Sequence, residues 1–381
     1  MNILFIAPYP DEYNPHHNVF VFNLVQKITQ LGANAEVISP IFFWKKRKEK
    51  ISTPGEKSYG EENVRVLRPR MLYLPNSIKF GDYSLGKYNS ISYSNAVKSV
   101  LTDLKFKPDI VYAHFLFFAG PGALAAAEHF KIPAVVALGE STLDRHKKVY
   151  SENDMRSIIS DFPGIISVSE VNKEYCINKL NVNEHSVEVI PNAVNEDLFY
   201  PRDKELLREK YNFPKDKFIV AFTGNFINRK GSLRVLEAIN QLPEDVNAIF
   251  IGDGPQKPSG KKVLFSDSVP HNLVPELLCS ADLFVLPTLK EGSCNAIAEA
   301  MACGLPIVSS DIPSVREQVP PDNSILCDPL DTQQLSMAIE KIFLDKTLCN
   351  NMKMASIEVA KGNSLSSRAE KIMSFLKKQI H

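Results

Sequence analysis

The sequence predicts a doubly wound α/β fold with two Rossmann-like domains that face a deep inter-domain cleft. Short apolar runs alternate with segments of helical periodicity along most of the 381 residues, a pattern typical of parallel strands joined by crossover helices. The chain is longer than one ordinary domain, and the alternation begins a second time near Phe218. Because ligands bind beyond the carboxyl ends of parallel strands, two such sheets suit two substrates, one held by each domain.

Composition indicates a cytoplasmic globular protein. Lysine plus arginine equals aspartate plus glutamate at 44 each, so the overall charge does not favour a nucleic acid as the main partner. The six cysteines form no Cys-x-x-Cys pair, which fits reduced thiols. Met1–Ala7 lacks a basic region and predicts a buried strand, and the most apolar window, Val111–Ala127, is too interrupted to span a membrane.

The first alternating series predicts an N-terminal domain over residues 1–197. A helical pattern runs from Phe20 to Leu31 and ends at Gly32. Strands are expected at Ile3–Ala7, Ala35–Ser39, Ile110–His114, Ala134–Leu138 and Ile165–Val168.

The second series predicts a C-terminal domain over residues 198–364, after a proline-containing boundary at Pro191–Asn195. Ser232 is expected to cap a helix through Leu242, and Asp331 with Gln334 predicts a capping box for a helix to about Leu344. Strands are expected at Phe218–Thr223, Ala248–Ile251, Leu283–Pro287 and Ile307–Ser309, with a small-residue helix at Ala296–Cys303.

The segment Phe42–Arg70 has an uneven charge. From Lys45 to Arg70 there are nine basic and four acidic residues, and Phe42, Phe43 and Trp44 come just before them. One interpretation is a solvated loop. The other is a patch that contacts an anionic surface or acceptor, which predicts peripheral attachment to the inner face of an anionic membrane.

The segment from Glu291 to Pro306 carries the most specific pattern. A loop of small residues precedes a helix that starts near Asn295, where free N–H groups and the positive end of the helix dipole suit a phosphate. Glu299 lies about one turn into this helix, whose other side chains are apolar. Its carboxylate therefore needs a partner, either an internal cation or the hydroxyl groups of a ligand.

A basic pair, Arg229 and Lys230, follows a predicted strand and stands between Gly224 and Gly231. Glycine lets a ligand approach the backbone closely, and the cations offset the charge of a diphosphate. Taken alone, the same pattern is also common in surface turns.

Together these motifs resemble glycosyltransferase family 4, a retaining family with the GT-B fold, over nearly the whole chain. The strongest mark is the Glu-x7-Glu pair, Glu291 and Glu299, followed by Glu-Ala-Met-Ala-Cys-Gly-Leu-Pro. The supporting matches are Val168–Glu170, Ile190–Asn192, Gly252–Pro255 and Ala281–Pro287.

The resemblance implies an enzyme that moves a sugar from a UDP- or GDP-linked donor to an acceptor hydroxyl and keeps the anomeric configuration. The acceptor would be a glycan or a lipid-linked glycan in cell-surface polysaccharide or glycolipid assembly. No cofactor is implied. The chain has no Asp-x-Asp motif and no His/Cys cluster with ligand spacing, so we expect catalysis without a metal.

The resemblance also assigns roles. Glu291 is expected to contact the donor sugar, Glu299 the ribose, and Lys230 with Arg229 the diphosphate, with His114 completing the catalytic set. The other expected donor-binding residues are Gly224, Asn225, Gly292, Ser293, Cys294, Asn295 and Ala296, the last four through backbone N–H groups. The C-terminal helix, residues 365–381, is expected to pack back on the N-terminal domain.

The acceptor side is expected to include His16, His17, Asn18, His114, Glu140 and Ser141. His114 ends a predicted strand and is either a buried core histidine or an acceptor-binding group. Three positions depart from the family pattern: Asn225 stands where an arginine is frequent, Asn14–Asn18 replaces a Gly-Gly loop, and Leu138–Thr142 replaces a His-Gly motif.

Two other functions remain open at this point. A nucleotide-sugar epimerase on the same fold would need no acceptor. A catalytically silent subunit of a glycosyltransferase complex would bind nucleotide without turnover, as Asn225 and the unusual first loop suggest.

Overall fold

The computed structural model describes residues 1–11, 18–43, 64–75, 79–80, 83–84, 88–140, 143 and 149–380. The chain divides into two compact units, the first made of Met1–Pro191 with Arg368–His381, the second of Asn192–Ser367. The division lies at the Pro191 end of the proline-containing segment, a few residues before the predicted boundary after residue 197.

A parallel sheet of seven strands forms the centre of the first unit. Its strands are β1 (Asn2–Ile6), β2 (Asn34–Ile38), β4 (Arg65–Leu67), β8 (Ile110–His114), β9 (Ala134–Leu138), β10 (Gly164–Ser167) and β11 (Val187–Val189). They lie in the order β11-β10-β9-β8-β1-β2-β4. Two short pairs stand outside it: β3 (Ile41–Phe42) with β5 (Arg70–Met71), and β6 (Lys79–Phe80) with β7 (Tyr83–Ser84).

The helices of the first unit alternate with these strands. They are α1 (Val19–Gln30), α2 (Tyr88–Lys98), α3 (Ala119–Phe130), α4 (Glu152–Ile159), α5 (Glu170–Leu180) and most of α13 (Leu365–Ile380). The central strand β8 is buried at every residue, as expected for a parallel strand that is covered on both faces.

A parallel sheet of six strands forms the centre of the second unit, in the order β14-β13-β12-β15-β16-β17. The strands are β12 (Phe218–Thr223), β13 (Val246–Ile251), β14 (Val263–Asp267), β15 (Leu283–Leu286), β16 (Ile307–Ser310) and β17 (Ser324–Cys327). The helices are α6 (Lys204–Lys210), α7 (Ser232–Asn240), α8 (Val274–Cys279), α9 (Asn295–Ala302), α10 (Pro313–Arg316), α11 (Thr332–Leu344) and α12 (Lys346–Gly362). These two sheets confirm the predicted fold class.

Two local predictions differ from the structure. Gly231, at φ 82°, precedes α7, so Ser232 is the first helical residue, and its hydroxyl donates to the carbonyl of Gln256 instead of capping the helix. The Asp331 side chain does cap α11, but the amide oxygen of Gln334 accepts from the backbone of Asp328 and makes no reciprocal cap. In the part of the chain described, no helix is both long and apolar enough to cross a bilayer.

Candidate active site

The loop after β12 lies at the carboxyl edge of the second sheet, next to the central strands β13 and β15. The aliphatic part of Lys230 packs over Gly224, where an added Cβ would lie 3.7 Å from the lysine Cδ. The loop after β13 approaches so closely that a Cβ on Gly252 would meet the carbonyl oxygen of Gly224 at 2.0 Å. Glycine at position 252 is therefore required for these two loops to form one edge.

Glu291 is the centre of a polar cluster at this edge. Its Oε1 atom accepts from Lys230 Nζ at 2.5 Å, from Thr288 Oγ1 at 2.7 Å and from Arg229 Nη1 at 3.1 Å. The side chains of Lys230 and Glu291 are 13% and 8% exposed. Such a partly desolvated pair needs a full set of hydrogen-bonding partners. A second anion placed beside Lys230 and Arg229 would compete with Glu291 for these two cations.

Lys230 remains a cation in this cluster. Burial alone lowers the pKa of the Lys230 ammonium. The charges of the Glu291 carboxylate and, at high pH where the thiol ionises, of Cys294 act in the opposite direction, so the pKa of Lys230 lies above its ordinary value. The Cys294 thiol itself is neutral near pH 7, because burial raises its pKa to about 11. Lys230 and Glu291 are thus the charged pair, and Cys294 is a buried neutral neighbour.

Helix α9 begins directly after the cluster. Cys294 precedes it without a capping side chain, and its own N–H donates to Gln318 Oε1 at 2.9 Å. The amide oxygen of Asn295, in the first turn, is buried and has no hydrogen-bond partner among the described residues. The helix start thus offers an uncapped first turn, although the predicted Cys294 N–H group is already engaged.

Glu299, one turn further along α9, is paired with a residue that the sequence analysis did not select. His271 Nε2 lies 3.2 Å from Glu299 Oε1, and the side chains are 30% and 15% exposed. The ring of Phe199 packs edge-on against His271 at 5.3 Å between centroids. His271 follows β14, an edge strand that the periodicity analysis missed, and recognition of that strand would have put His271 at the carboxyl edge.

A second missed contact fixes the loop before α9. The backbone N–H of Asn192 donates to Ser293 Oγ at 3.1 Å, and its side-chain amide donates to the Ser293 carbonyl at 3.0 Å. The sequence did contain a sign of this contact. The Ile190–Asn192 match supported the family resemblance, but no role was assigned to Asn192. Of the other predicted donor residues, Gly292 is buried, Ala296 is half-buried and Asn225 is exposed.

In the first unit, His114 ends β8 and is 1% exposed. Neither ring nitrogen has a hydrogen-bond partner among the described residues, and the rings of Phe115 and Phe20 lie at centroid distances of 4.7 and 5.5 Å. Burial, reinforced by the charge of Arg368, lowers the pKa of His114 to about 3. His114 is therefore a neutral imidazole in an aromatic environment.

The other predicted acceptor-side residues have different positions. Glu140 is buried, and its Oε1 accepts from the backbone N–H of Leu116 at 2.7 Å, which fixes the loop after β8. Asn18 precedes α1 with φ 58°. His16, His17 and Ser141 lie outside the described residues, as do residues 44–63, which hold most of the predicted basic segment Lys45–Arg70.

Comparison with known proteins identifies the family. The family model described as "Glycosyltransferase Family 4" matches residues 17–198, and the one described as "Glycosyl transferases group 1" matches residues 203–359. The chain belongs to glycosyltransferase family 4. The Glu291 cluster and the start of α9 thus lie within the second matched region, and β8 with His114 lies within the first.

Three similar proteins illustrate the match. The chain is 27% identical over 359 residues to the Bacillus subtilis "Putative teichuronic acid biosynthesis glycosyltransferase TuaC", with 90% of this chain and 89% of that protein covered. It is 28% identical over 225 residues to the Escherichia coli "UDP-Gal:alpha-D-GlcNAc-diphosphoundecaprenol alpha-1,3-galactosyltransferase", covering 55% and 58%. The Anabaena HepE structure "in complex with UDP-glucose" superposes with a TM-score of 0.73 at 17% identity, covering 99% and 100%, and shares the fold.

Proposed function

We propose that this glycosyltransferase takes a sugar from a UDP- or GDP-linked donor, transfers it to an acceptor hydroxyl with retention, and serves cell-surface polysaccharide or glycolipid assembly. The observation that carries the donor half is the cluster in which Lys230 and Arg229 both contact one oxygen of Glu291. Two cations, an uncapped helix start and a carboxylate at the carboxyl edge of a parallel sheet suit a diphosphate joined to a sugar.

The cluster would act by electrostatic stabilisation. As the bond between sugar and diphosphate breaks, negative charge grows on the leaving group, and prepositioned cations stabilise that charge more than they stabilise the bound donor. Lys230 and Arg229 would turn from Glu291 toward the phosphates, and Glu291 would then accept from sugar hydroxyls. Glu299 would accept from the ribose hydroxyls in place of His271.

The related proteins support the choice of donor and the class of product. UDP-glucose is the ligand named for the HepE structure, and UDP-Gal is the donor named for the E. coli relative. That relative is named for a diphosphoundecaprenol acceptor, and TuaC for teichuronic acid biosynthesis. Retention is proposed from family membership.

Peripheral contact with an anionic membrane on the cytoplasmic side is the second part of the proposal. Phe42 and Phe43 are 37% and 58% exposed, and the Arg70 guanidinium lies 5.3 Å from the centre of the Phe43 ring. An exposed ring beside a cation suits the interface of an anionic bilayer. Trp44, the single tryptophan of the chain, follows Phe43 directly and serves as a fluorescent reporter.

The membrane part is tested with vesicles. We expect the Trp44 emission to shift to the blue with phosphatidylglycerol vesicles but not with phosphatidylcholine vesicles, and the shift to be lost in Arg70→Gln with Phe43→Ser. Equal shifts with both kinds of vesicle would contradict an electrostatic contact.

The transfer itself is tested by nucleotide release. A panel of nucleoside-diphosphate sugars is incubated with the protein, with and without a lipid extract that supplies acceptors. Release that depends on the extract supports transfer. An epimerised donor without any acceptor would identify an epimerase, and binding without turnover a silent subunit.

A further inference from the structure

A cavity lies within the first unit, at the carboxyl ends of its central strands. Its volume is about 360 Å³, within the usual range of ligand sites. The loops that follow β1, β2 and β8 all contribute to its wall, together with β3, β5 and α2. The main apolar wall residues are Tyr9, Phe42, Met71, Phe115, Phe117 and Phe118.

The wall suits a hydrocarbon better than a sugar. Four of its fifteen wall residues have charged, amide or aliphatic hydroxyl side chains, Asp11, Asn18, Ser39 and Arg68, and two of them already stabilise neighbouring loops. Ser39 Oγ accepts from the backbone N–H of Tyr9 at 3.2 Å, and the Arg68 guanidinium donates to the carbonyl oxygens of Tyr9 and Pro10. Asp11 also lies in the wall, so the charge of the Arg68 guanidinium is balanced by one carboxylate. A sugar ring would lose hydrogen bonds to water here, whereas an apolar chain gains by leaving water.

The backbone of the loop that follows β8 is strained at two aromatic residues. Phe115 has φ 78° and Phe118 has φ 66°, a region that bulky residues rarely adopt. Both residues line the cavity. Strain of this kind persists where the surroundings enforce it and clusters at ligand sites, so it is a second observation that points to a ligand.

Exposed apolar residues follow the cavity wall along the chain after β3 and β5, and others lie on α2, which also contributes to the wall. We define the apolar patch as Phe43, Leu72, Leu74, Tyr88 and Ile91, which are 58%, 65%, 38%, 48% and 56% exposed. Phe42 and Met71 pair across β3 and β5 and line the cavity, and the residue that follows each strand, Phe43 or Leu72, belongs to the patch. The Leu72 N–H donates to Ser92 Oγ at 2.9 Å, which joins the β5 side of the patch to α2.

We propose that the cavity holds the hydrocarbon chain of a lipid-linked acceptor, and that the chain passes from the cavity over the apolar patch into the membrane. The inference rests on the proposed function, which assigns the donor to the second unit. It assigns the apolar part of the acceptor to the first unit. Arg70, beside Phe43 at the patch, is a second cation near the path of the chain, after Arg68 in the cavity wall.

The test compares the binding of farnesyl monophosphate, isopentenyl monophosphate and inorganic phosphate by calorimetry, with the farnesyl compound below its micelle concentration. We expect the fifteen-carbon compound to bind at least about a hundredfold more tightly than the five-carbon compound, because its two extra isoprene units enter the cavity. Equal affinities of the two compounds would overturn the proposal.

Two variants locate the effect. Ala119→Phe adds a ring at a buried wall position and is expected to abolish the chain-length advantage, whereas Glu128→Phe adds the same ring on the exposed side of the same helix and is expected to keep it. If Ala119→Phe does not fold, Ile41→Gln replaces an apolar wall residue by a polar one of similar length and decides the question. An unchanged advantage in the folded wall variant, or the same loss in Glu128→Phe, would overturn the proposal.

Two further readouts separate the alternatives. Loss of phosphatidylglycerol vesicle binding in the wall variant, with farnesyl phosphate binding unchanged, would assign the cavity to bilayer contact and overturn the proposal. UDP and GDP binding is measured on the same preparations. If the protein binds farnesyl phosphate but neither UDP nor GDP, the result contradicts the proposed donor and leaves the proposal for the cavity intact.

Discussion

The carboxyl edges of the two sheets have opposite chemistry. In the second unit, Lys230, Arg229 and Thr288 converge on one oxygen of Glu291, so the polar groups satisfy one another. In the first unit, His114 ends the central strand among aromatic rings and without a hydrogen-bond partner among the described residues. The two proposals rest on this difference, which assigns a charged ligand to the edge of the second unit and a largely apolar one to the edge of the first.

This contrast also explains which parts of the site can be recognised in a sequence. A diphosphate sugar imposes similar demands on every enzyme that binds it, so cations, glycines and a helix start recur at fixed spacings. An acceptor imposes demands of its own. The aromatic loop from Phe115 to Phe118 therefore follows no pattern that the sequence analysis used.

The largest expected effect comes from Lys230→Ala. Turnover should fall by about 100- to 1,000-fold, because a prepositioned donor to the leaving group is removed, whereas affinity for the free nucleotide should fall much less. Lys290→Ala is the matched control, since its side chain is exposed and only its main-chain oxygen contacts Arg229. Kinetics and calorimetry measure the two effects. An equal loss of turnover and nucleotide affinity would mean that Lys230 only anchors the ligand.

Glu299→Gln should weaken nucleotide binding by about 1.5–3 kcal/mol, the usual value for a hydrogen bond to a charged group. Glu340→Gln, on the exposed face of α11, should bind as the wild type does. The measurement is a calorimetric titration with nucleoside diphosphates. A folded Glu299→Gln protein with unchanged affinity would contradict the ribose assignment and leave the internal contact with His271 as the role of Glu299.

His114 should make the stability of the protein depend on pH. The pKa of His114 is about 3 in the folded state, and a histidine in an unfolded chain titrates near 6.5. Below pH 6.5 the unfolded state binds more protons, so the free energy of unfolding should fall by up to about 1.4 kcal/mol per pH unit as the pH drops toward 3.

The variant His114→Phe isolates this contribution. Urea titrations at pH 7.5 and pH 5.0 should give a smaller pH dependence for His114→Phe than for the wild type, and His129→Gln, at an exposed position of α3, should behave as the wild type does. The same pH dependence in all three proteins would show that His114 is not the buried neutral group described above.

The smallest effect is expected for His271→Ala. The hydrogen-bonded contact between His271 and Glu299 is partly exposed, and such a hydrogen bond contributes about 1 kcal/mol net. Because the ribose would replace His271 in any case, donor affinity should change by about fivefold at most. A loss as large as that of Glu299→Gln, measured by the same titration, would mean that His271 itself contacts the nucleotide.

The sequence predicted the buried strands best. Ile110–His114 and Phe218–Thr223 were predicted with the bounds that the structure has, because buried parallel strands are continuous apolar runs. Strand β14 was missed, since it is an edge strand of half-buried and exposed residues. The Ser232 cap was wrong because Gly231, in a left-handed conformation, precedes the helix instead.

For the site, spacing along the chain selected Lys230, Glu291 and Glu299, which the structure brings to one edge of the sheet. Thr288 and His271 were not selected, because their roles depend on packing between loops that are distant in sequence. The assignment of all these residues to a nucleotide sugar stays a prediction.

The central claim is that the second unit itself supplies the positive charge for departure of the diphosphate, through Lys230, Arg229 and the start of α9. The most direct measurement is nucleotide release from the donor in excess chelator, compared with release after added magnesium or manganese. We predict the same turnover under both conditions, and turnover lost in Lys230→Ala under both. Activity that is abolished by chelator and restored by metal would contradict the account.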